Sequence, residues 1–197
     1  MCSDRRVTAP HRVPERPVRI AADGLVLRAY TAADEPALRR GFEDPDIRRW
    51  NPPGPGVDPA AWWPGRSDWS TGAHASWAVA AADDDRLLGD VSLHELDLEH
   101  GDAEIGYTVL PPARGRGVAR RAVTLAARWG FEELGLFRVQ LFHAAENVAS
   151  CNVALAAGFL HEGTLRQSYR YGDGLRHDEH VHGRLVTDAV PGSGLTR

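Results

Sequence analysis

Apolar and polar positions alternate in "LVLRAY" (25–30), which is the period of a half-buried strand. The period changes in "DEPALRRGFED", where Leu38 and Phe42 lie four apart on one helical face and Asp34 stands at the N-cap position. Residues 51–72 are rich in proline, glycine and tryptophan and show no long period; one short helix is predicted near 58–63. Strand patterns return at 76–81, 87–96 and 103–110, separated by the turn-forming "DDD" and "EHGD". The strongest helical pattern covers 116–134, with Val118, Ala122, Leu125, Ala126 and Trp129 on one face and Gly135 at the stop. A strand at 137–143, a helix in "NVASCNVALAAG" and a hairpin about "GDG" (172–174) complete the chain. This order predicts one mixed α/β domain of the α+β type over 21–188, with flexible tails at 1–20 and 189–197.

Composition narrows the function classes. A chain of 197 residues with 43% hydrophobic and 25% charged residues suits one globular domain with a substantial core. The formal charge of −4 gives no general attraction to nucleic acid or to an anionic membrane, so any basic function must be local. Apolar runs fall far short of the ~20 residues that cross a bilayer. The opening residues lack the apolar stretch of a secretory signal. With Cys2 in a tail and Cys151 in a helical segment, no disulfide is expected, which favours the cytoplasm; Cys151 itself reads as a small core residue.

The local basic function has an address. "LPPARGRGVARRAV" places Gly115 and Gly117 among Arg114, Arg116, Arg120 and Arg121, between a strand and the best helix. A helix start offers unpaired N–H groups and a positive dipole end, and glycines let a phosphate approach the backbone. A Walker loop is excluded, because no Lys-Ser/Thr pair follows; the dinucleotide fingerprint fails at Arg120. What stands is R-x-x-G-x-A, from Arg114 through Gly117 to Ala119. Alone, it reads equally as a basic helix start.

In context the chain resembles a known family. "AEIGYTVLPPARGRGVARRAV", "FEELGLFRVQL", "NVASCNVALAAGF" and "EGTLRQSYRYGDGLRHDEHVHGRL" together resemble the GNAT superfamily of acyl-CoA-dependent N-acyltransferases, in its RimJ/RimL-like ribosomal-protein branch, over about 25–188. The resemblance implies a twisted, mostly antiparallel sheet that splays to admit the acyl-CoA. It implies backbone groups of Val109 and Leu110 for the pantetheine. A pyrophosphate cradle would come from Arg114, Gly115, Arg116, Gly117, Val118 and Ala119, and Asn147 and Ser150 would flank the pantetheine arm and the thioester sulfur. The acceptor it implies is a primary amine, foremost a protein or peptide N-terminus. A small amine, and a non-catalytic acyl-CoA-binding module, are the alternatives. It implies no metal, no nucleic acid and no membrane, and it is compatible with a homodimer.

Thioester aminolysis needs a neutral amine, whereas an α-amine with pKa near 8 is mostly protonated at pH 7. Glu104 is the candidate base, with a surface-facing strand carboxylate as the plainer reading. Where many superfamily members carry a tyrosine as acid, this chain has Ala154. Ser150 then becomes the candidate donor, unless it merely bonds back to a helix carbonyl; Tyr107 and Tyr169 are further candidates. A carboxylate that some Rim-type enzymes carry falls near Ser168 and Tyr169, where none is present. His177, His180 and His182 suggest zinc by spacing, but no further ligand pattern is nearby, and structural or acceptor-lining roles are expected. Among the tryptophans, Trp77 is expected in the core and at least one of Trp62, Trp63 and Trp69 near the acceptor.

Overall fold

The computed structural model describes residues 12–54 and 56–189. Eight strands form one sheet in the order β1-β2-β3-β4-β5-β6-β8-β7. They are β1 (Ile20–Ala22), β2 (Leu25–Arg28), β3 (His74–Ala81), β4 (Leu87–Asp97), β5 (Asp102–Val109), β6 (Arg138–Ala144), β7 (Leu160–Arg170) and β8 (Arg176–Leu185). Every neighbouring pair is antiparallel except β5 and β6. A parallel pair needs a crossover, and the helix α4 (Val118–Glu133) supplies it. The mixed α+β architecture expected from the sequence is the one observed.

Helices cover both faces. On one side α4 buries Val118, Ala122, Leu125, Ala126 and Trp129, the stripe its 3.6-residue period predicts. The core beneath it centres on Trp69, Trp77 and Trp129, whose rings meet at centroid distances of 4.7, 5.0 and 5.7 Å. On the other side α1 (Glu35–Glu43), α2 (Pro45–Trp50) and α3 (Pro59–Arg66) close a smaller core around Tyr30, Leu38, Ile47 and Leu110. The helix α5 (Val148–Ala156) lies beside β6 and β7.

Four expectations change. α2 was not predicted: six residues are too few to show a period, and its signal was only Asp44, whose carboxylate caps the Ile47 amide at 3.0 Å. Asp34 does not cap α1 with its side chain. It instead accepts from the Thr31 amide at 2.9 Å and takes a two-pronged pair from Arg28 at 2.8 and 2.9 Å. Residues 12–19, assigned to a tail, run along the sheet: Val13 is buried, Glu15 accepts from the Trp69 amide and Val18 accepts from the Trp77 indole at 2.9 Å. β1 follows them, and three residues are too short for alternation to register. The rest of the expected N-terminal tail, with Cys2, and residues 190–197 lie outside the described residues.

Candidate active site

β5 and β6 pair over only three positions, ending at Glu104 opposite Gln140. Beyond that point β6 continues on β8, with which it is paired along its whole length, while β5 stays on β4 as far as Val109. The sheet therefore opens into a V along residues 105–109. Leu110 donates to Leu88 at 2.9 Å, which fixes the parity of β5: the backbone groups of Tyr107 and Val109 face the opening. Their carbonyls take side-chain donors there, Asn51 at 3.4 Å and Arg114 at 3.3 Å. Leu110 departs from its expected role, because its amide is held by Leu88 and its carbonyl by Ala113.

One arm of the V leads to the glycine-arginine loop. Gly115 and Gly117 have φ of 73° and 69°, left-handed values that cost most side chains roughly 1–2 kcal/mol. A Cβ at either glycine would meet no atom within 4 Å, so the space over the loop is open. The first amides of α4 begin here without helical partners. The arginines divide their work. Arg114 reaches Asp44 at 2.5 Å and Asp46 at 3.0 Å, pinning the loop to α2, and Arg121 bonds back to the carbonyls of Asp23, Gly117 and Arg116. Arg116 lines a separate pocket together with Asp83, Arg86 and Arg121. Arg120 lines the groove and makes no side-chain ion pair among the described residues. That groove of about 720 Å³ runs from the loop to Asn147 and Ser150 on α5.

Across the opening the Tyr107 hydroxyl donates to Ser150 Oγ at 3.0 Å. Burial pushes the Tyr107 phenol up to about 12, with the Ser150 hydrogen bond pulling the other way, so at neutral pH it remains a donor. Asn147 caps α5, accepting from the Ser150 amide at 3.2 Å, and that turn fixes where the serine points.

Through the V lies a second cavity, of about 690 Å³. Glu104 sits on its wall at the vertex, on the opposite face of β5 from Tyr107, with its carboxylate 3.6 Å from His94 and 40% exposed. Glu95 and Glu179 share the wall with Trp50, Tyr169 and Tyr171, and among the described residues no arginine lines it. Glu179 is buried and accepts from Ser168 at 2.7 Å and Tyr171 at 2.9 Å. The tip of the β7–β8 hairpin closes this side against α2. There Gly172 donates to the Arg49 carbonyl at 2.9 Å, and any Cβ at 172 would stand 1.7 Å from the Arg48 carbonyl.

Residues 24–160 match the sequence profile described as Acetyltransferase (GNAT) domain. The chain belongs to the GNAT acetyltransferase family. Among curated GNAT relatives, it is 39% identical over 95 residues to the provisional ribosomal N-acetyltransferase YdaF of Bacillus subtilis, covering 48% of this chain and 51% of that one. It is 30% identical over 118 residues to the spermidine N(1)-acetyltransferase of Escherichia coli, covering 58% and 63%. The chain thus spans between half and two thirds of the length of these relatives. A solved GNAT-family structure from Chromobacterium violaceum, a probable acetyltransferase, superposes with a TM-score of 0.72 at 29% identity, over 94% of this chain and 92% of that one.

Within this GNAT domain the other expected residues are dispersed. Trp69 is fully buried in the main core beside Trp77, so it does not reach an acceptor. Trp62 packs edge-on to Tyr30 and Phe42 and Trp63 joins the same small core; neither lines the V. Ala154 is fully buried and aimed at the core, so a tyrosine there would not face the groove. Tyr169 lies on the wall of the second cavity and is 55% exposed. His177 bridges Asp173 at 2.9 Å and Glu146 at 3.3 Å, tying the hairpin tip to the entrance of α5. Sequence reasoning groups Trp50 with Trp62, Trp63, Trp69 and Trp77 without singling it out, and it misses Glu179, which places a carboxylate on β8 beside Ser168 of β7.

Proposed function

We propose that this protein transfers an acetyl group from acetyl-CoA to a primary amine, with a protein or peptide N-terminus as the acceptor. The observation that carries the reading is the V itself: an anion-receiving loop at one end, a hydroxyl pair at its throat, and a carboxylate on the opposite face. Val109's backbone, the amides of Gly115 through Ala119, Arg120 and Asn147 are placed to hold acetyl-CoA, which supplies the acetyl thioester. Glu104 accepts the ammonium proton, directly or through water, so that the free amine attacks. The new C–N bond forms as the C–S bond breaks. Ser150, backed by Tyr107, meets the departing thiolate. A phenol near 12 does not surrender its proton to a thiolate whose own pKa is near 8.5. The hydroxyl pair therefore stabilises the leaving sulfur by hydrogen bonding.

A small polycationic amine is the second reading. The acidic wall of Glu95, Glu104 and Glu179 suits it, and one relative is a spermidine acetyltransferase. Free-thiol release from acetyl-CoA, measured with a peptide panel and with polyamines, separates the readings. The chain contains no lysine, so its own side chains add no amine background. Glu104→Gln should lower kcat by at least ~10²-fold with acetyl-CoA affinity nearly intact, recovering in part at high pH. Wild-type turnover at pH 7 would move the base elsewhere. Acetyl-CoA binding without thiol release for any amine would favour a non-catalytic binding module.

A further inference from the structure

Beneath α5, behind the catalytic face, three histidines and a cysteine converge. His143 lies on β6 directly opposite His180 on β8, and His182 stands diagonally across from it. Cys151 descends from α5 onto the same spot. One ligand atom from each of His143, Cys151, His180 and His182 falls within 4.8 Å of all the others. The Nε2 atoms of His143 and His182 are already 3.1 Å apart. Four-coordinate zinc holds nitrogen at ~2.0–2.1 Å and sulfur at ~2.3 Å, which sets ligand atoms roughly 3.3–3.8 Å from each other. Side-chain movements of under about 1 Å would close the set to that geometry.

The proton arrangement favours an ion. His143 Nδ1 lies 2.8 Å from the Ala144 carbonyl, which can only accept, so Nδ1 carries the proton and Nε2 presents its lone pair. That backbone contact is the kind of second partner which orients metal-bound imidazoles. With His143 Nε2 accepting, the metal-free pair needs the proton on His182 Nε2. This strands a lone pair on His182 Nδ1, which is buried with no hydrogen-bond partner among the described residues, as is Nδ1 of His180. A cation between the two Nε2 atoms removes the conflict. The His182 proton then moves to Nδ1, and the backbone of Phe159 lies near the ring. Both rings are buried, at 4% and 0% exposure.

We propose that His143, Cys151, His180 and His182 form a structural site for one zinc-class ion, contrary to the expectation of no metal. Three imidazoles and a thiolate suit zinc or a late first-row divalent ion, and do not suit calcium or magnesium. Its use follows from where Cys151 sits, next to Ser150. α5 is lightly anchored: Ala154 is its fully buried residue, while Val148 and Leu155 are 64% and 52% exposed. An ion joining α5 to β6 and β8 would fasten the helix that carries Asn147 and Ser150. His180 and His182 share β8 and show in their spacing, but His143 and Cys151 come from β6 and α5, so local spacing could not complete the set.

The test needs no acetyltransferase activity. Full-length protein carrying Cys2→Ser, stripped with a chelator, is titrated with Co²⁺ and then with Zn²⁺. The expected result is one equivalent per chain, with intense visible bands of tetrahedral cobalt, a near-ultraviolet thiolate charge-transfer band, displacement by Zn²⁺, and a Tm raised by several degrees. Cys151→Ser should lose the charge-transfer band while keeping the native circular dichroism spectrum. His182→Gln should weaken binding by at least tenfold. Absence of stoichiometric binding would overturn the site, as would weak octahedral spectra unchanged in Cys151→Ser. If His182→Gln fails to fold, the Cys151→Ser spectrum alone decides.

Discussion

At the scale of single residues, the Tyr107–Ser150 contact sets the strongest expectation. Ser150 touches the leaving group in the proposed reaction and Tyr107 acts through it, so the two should contribute unequally. Because a CoA thiol is a fairly good leaving group, Ser150→Ala should cost roughly ten- to a hundred-fold in kcat, near or below the low end of general acid–base effects. Tyr107→Phe should cost less than tenfold, and the double variant should be no slower than Ser150→Ala. Steady-state kinetics checks this; full additivity of the two losses would mean that they act independently. Glu104 and Ser150 could be nominated from the sequence because each lies in a segment that carries the family resemblance, "AEIGY" and "NVASC". Glu179 could not, since its importance comes from a cross-strand neighbour, Ser168, eleven residues away along the chain. Nothing in local spacing encodes that register.

At the scale of elements, the glycine-arginine loop combines strain with space. Its identity as a helix start was readable, yet the division of labour among its arginines was not. Arg114 is spent on Asp44 and Asp46 because an unpredicted helix brings those carboxylates within reach. Only tertiary structure shows Arg120 lining the groove. Gly117→Glu puts a Cβ at φ 69° and a negative charge where the pyrophosphate is proposed to rest. Stability should fall by roughly 1–2 kcal/mol. Calorimetry should show acetyl-CoA affinity reduced more than tenfold in a variant that remains folded. Unchanged affinity would remove the loop from the binding site. The same reasoning explains the tryptophans. Local composition flags the segment 51–72, but which indole meets the core is decided by α4, which begins only at Val118.

At the scale of the whole molecule, the sheet carries an acid that works against it. Burial between β4 and the α1–α3 layer pushes the Asp90 carboxyl up to about 6, with Arg66 and Thr108 pulling it partly back. The folded pKa thus lies above the unfolded value of 3.8. The contribution is fully present below about pH 4, where both states are protonated, and is lost as pH rises through 6. Asp90→Asn removes the ionisation. Its stability relative to wild type should therefore rise between pH 5 and pH 8, by about 1 kcal/mol, less than the full shift because water reaches the site. Urea unfolding at the two pH values measures it; a constant difference would mean that Asp90 does not titrate in this range.

The V also divides the chain as cleanly as it divides the sheet. β1 through β5 with α1–α4 precede residue 134, and β6 through β8 with α5 follow it, so the spatial seam and the sequence seam coincide. A break in the turn after α4 would part no strand from an antiparallel neighbour. It would leave two leaves meeting along three parallel pairs. Such leaves are candidates for a split protein, inert apart and rejoined on mixing. Acetyl-CoA bridging them would act as mortar, so reassembly should quicken as its concentration rises.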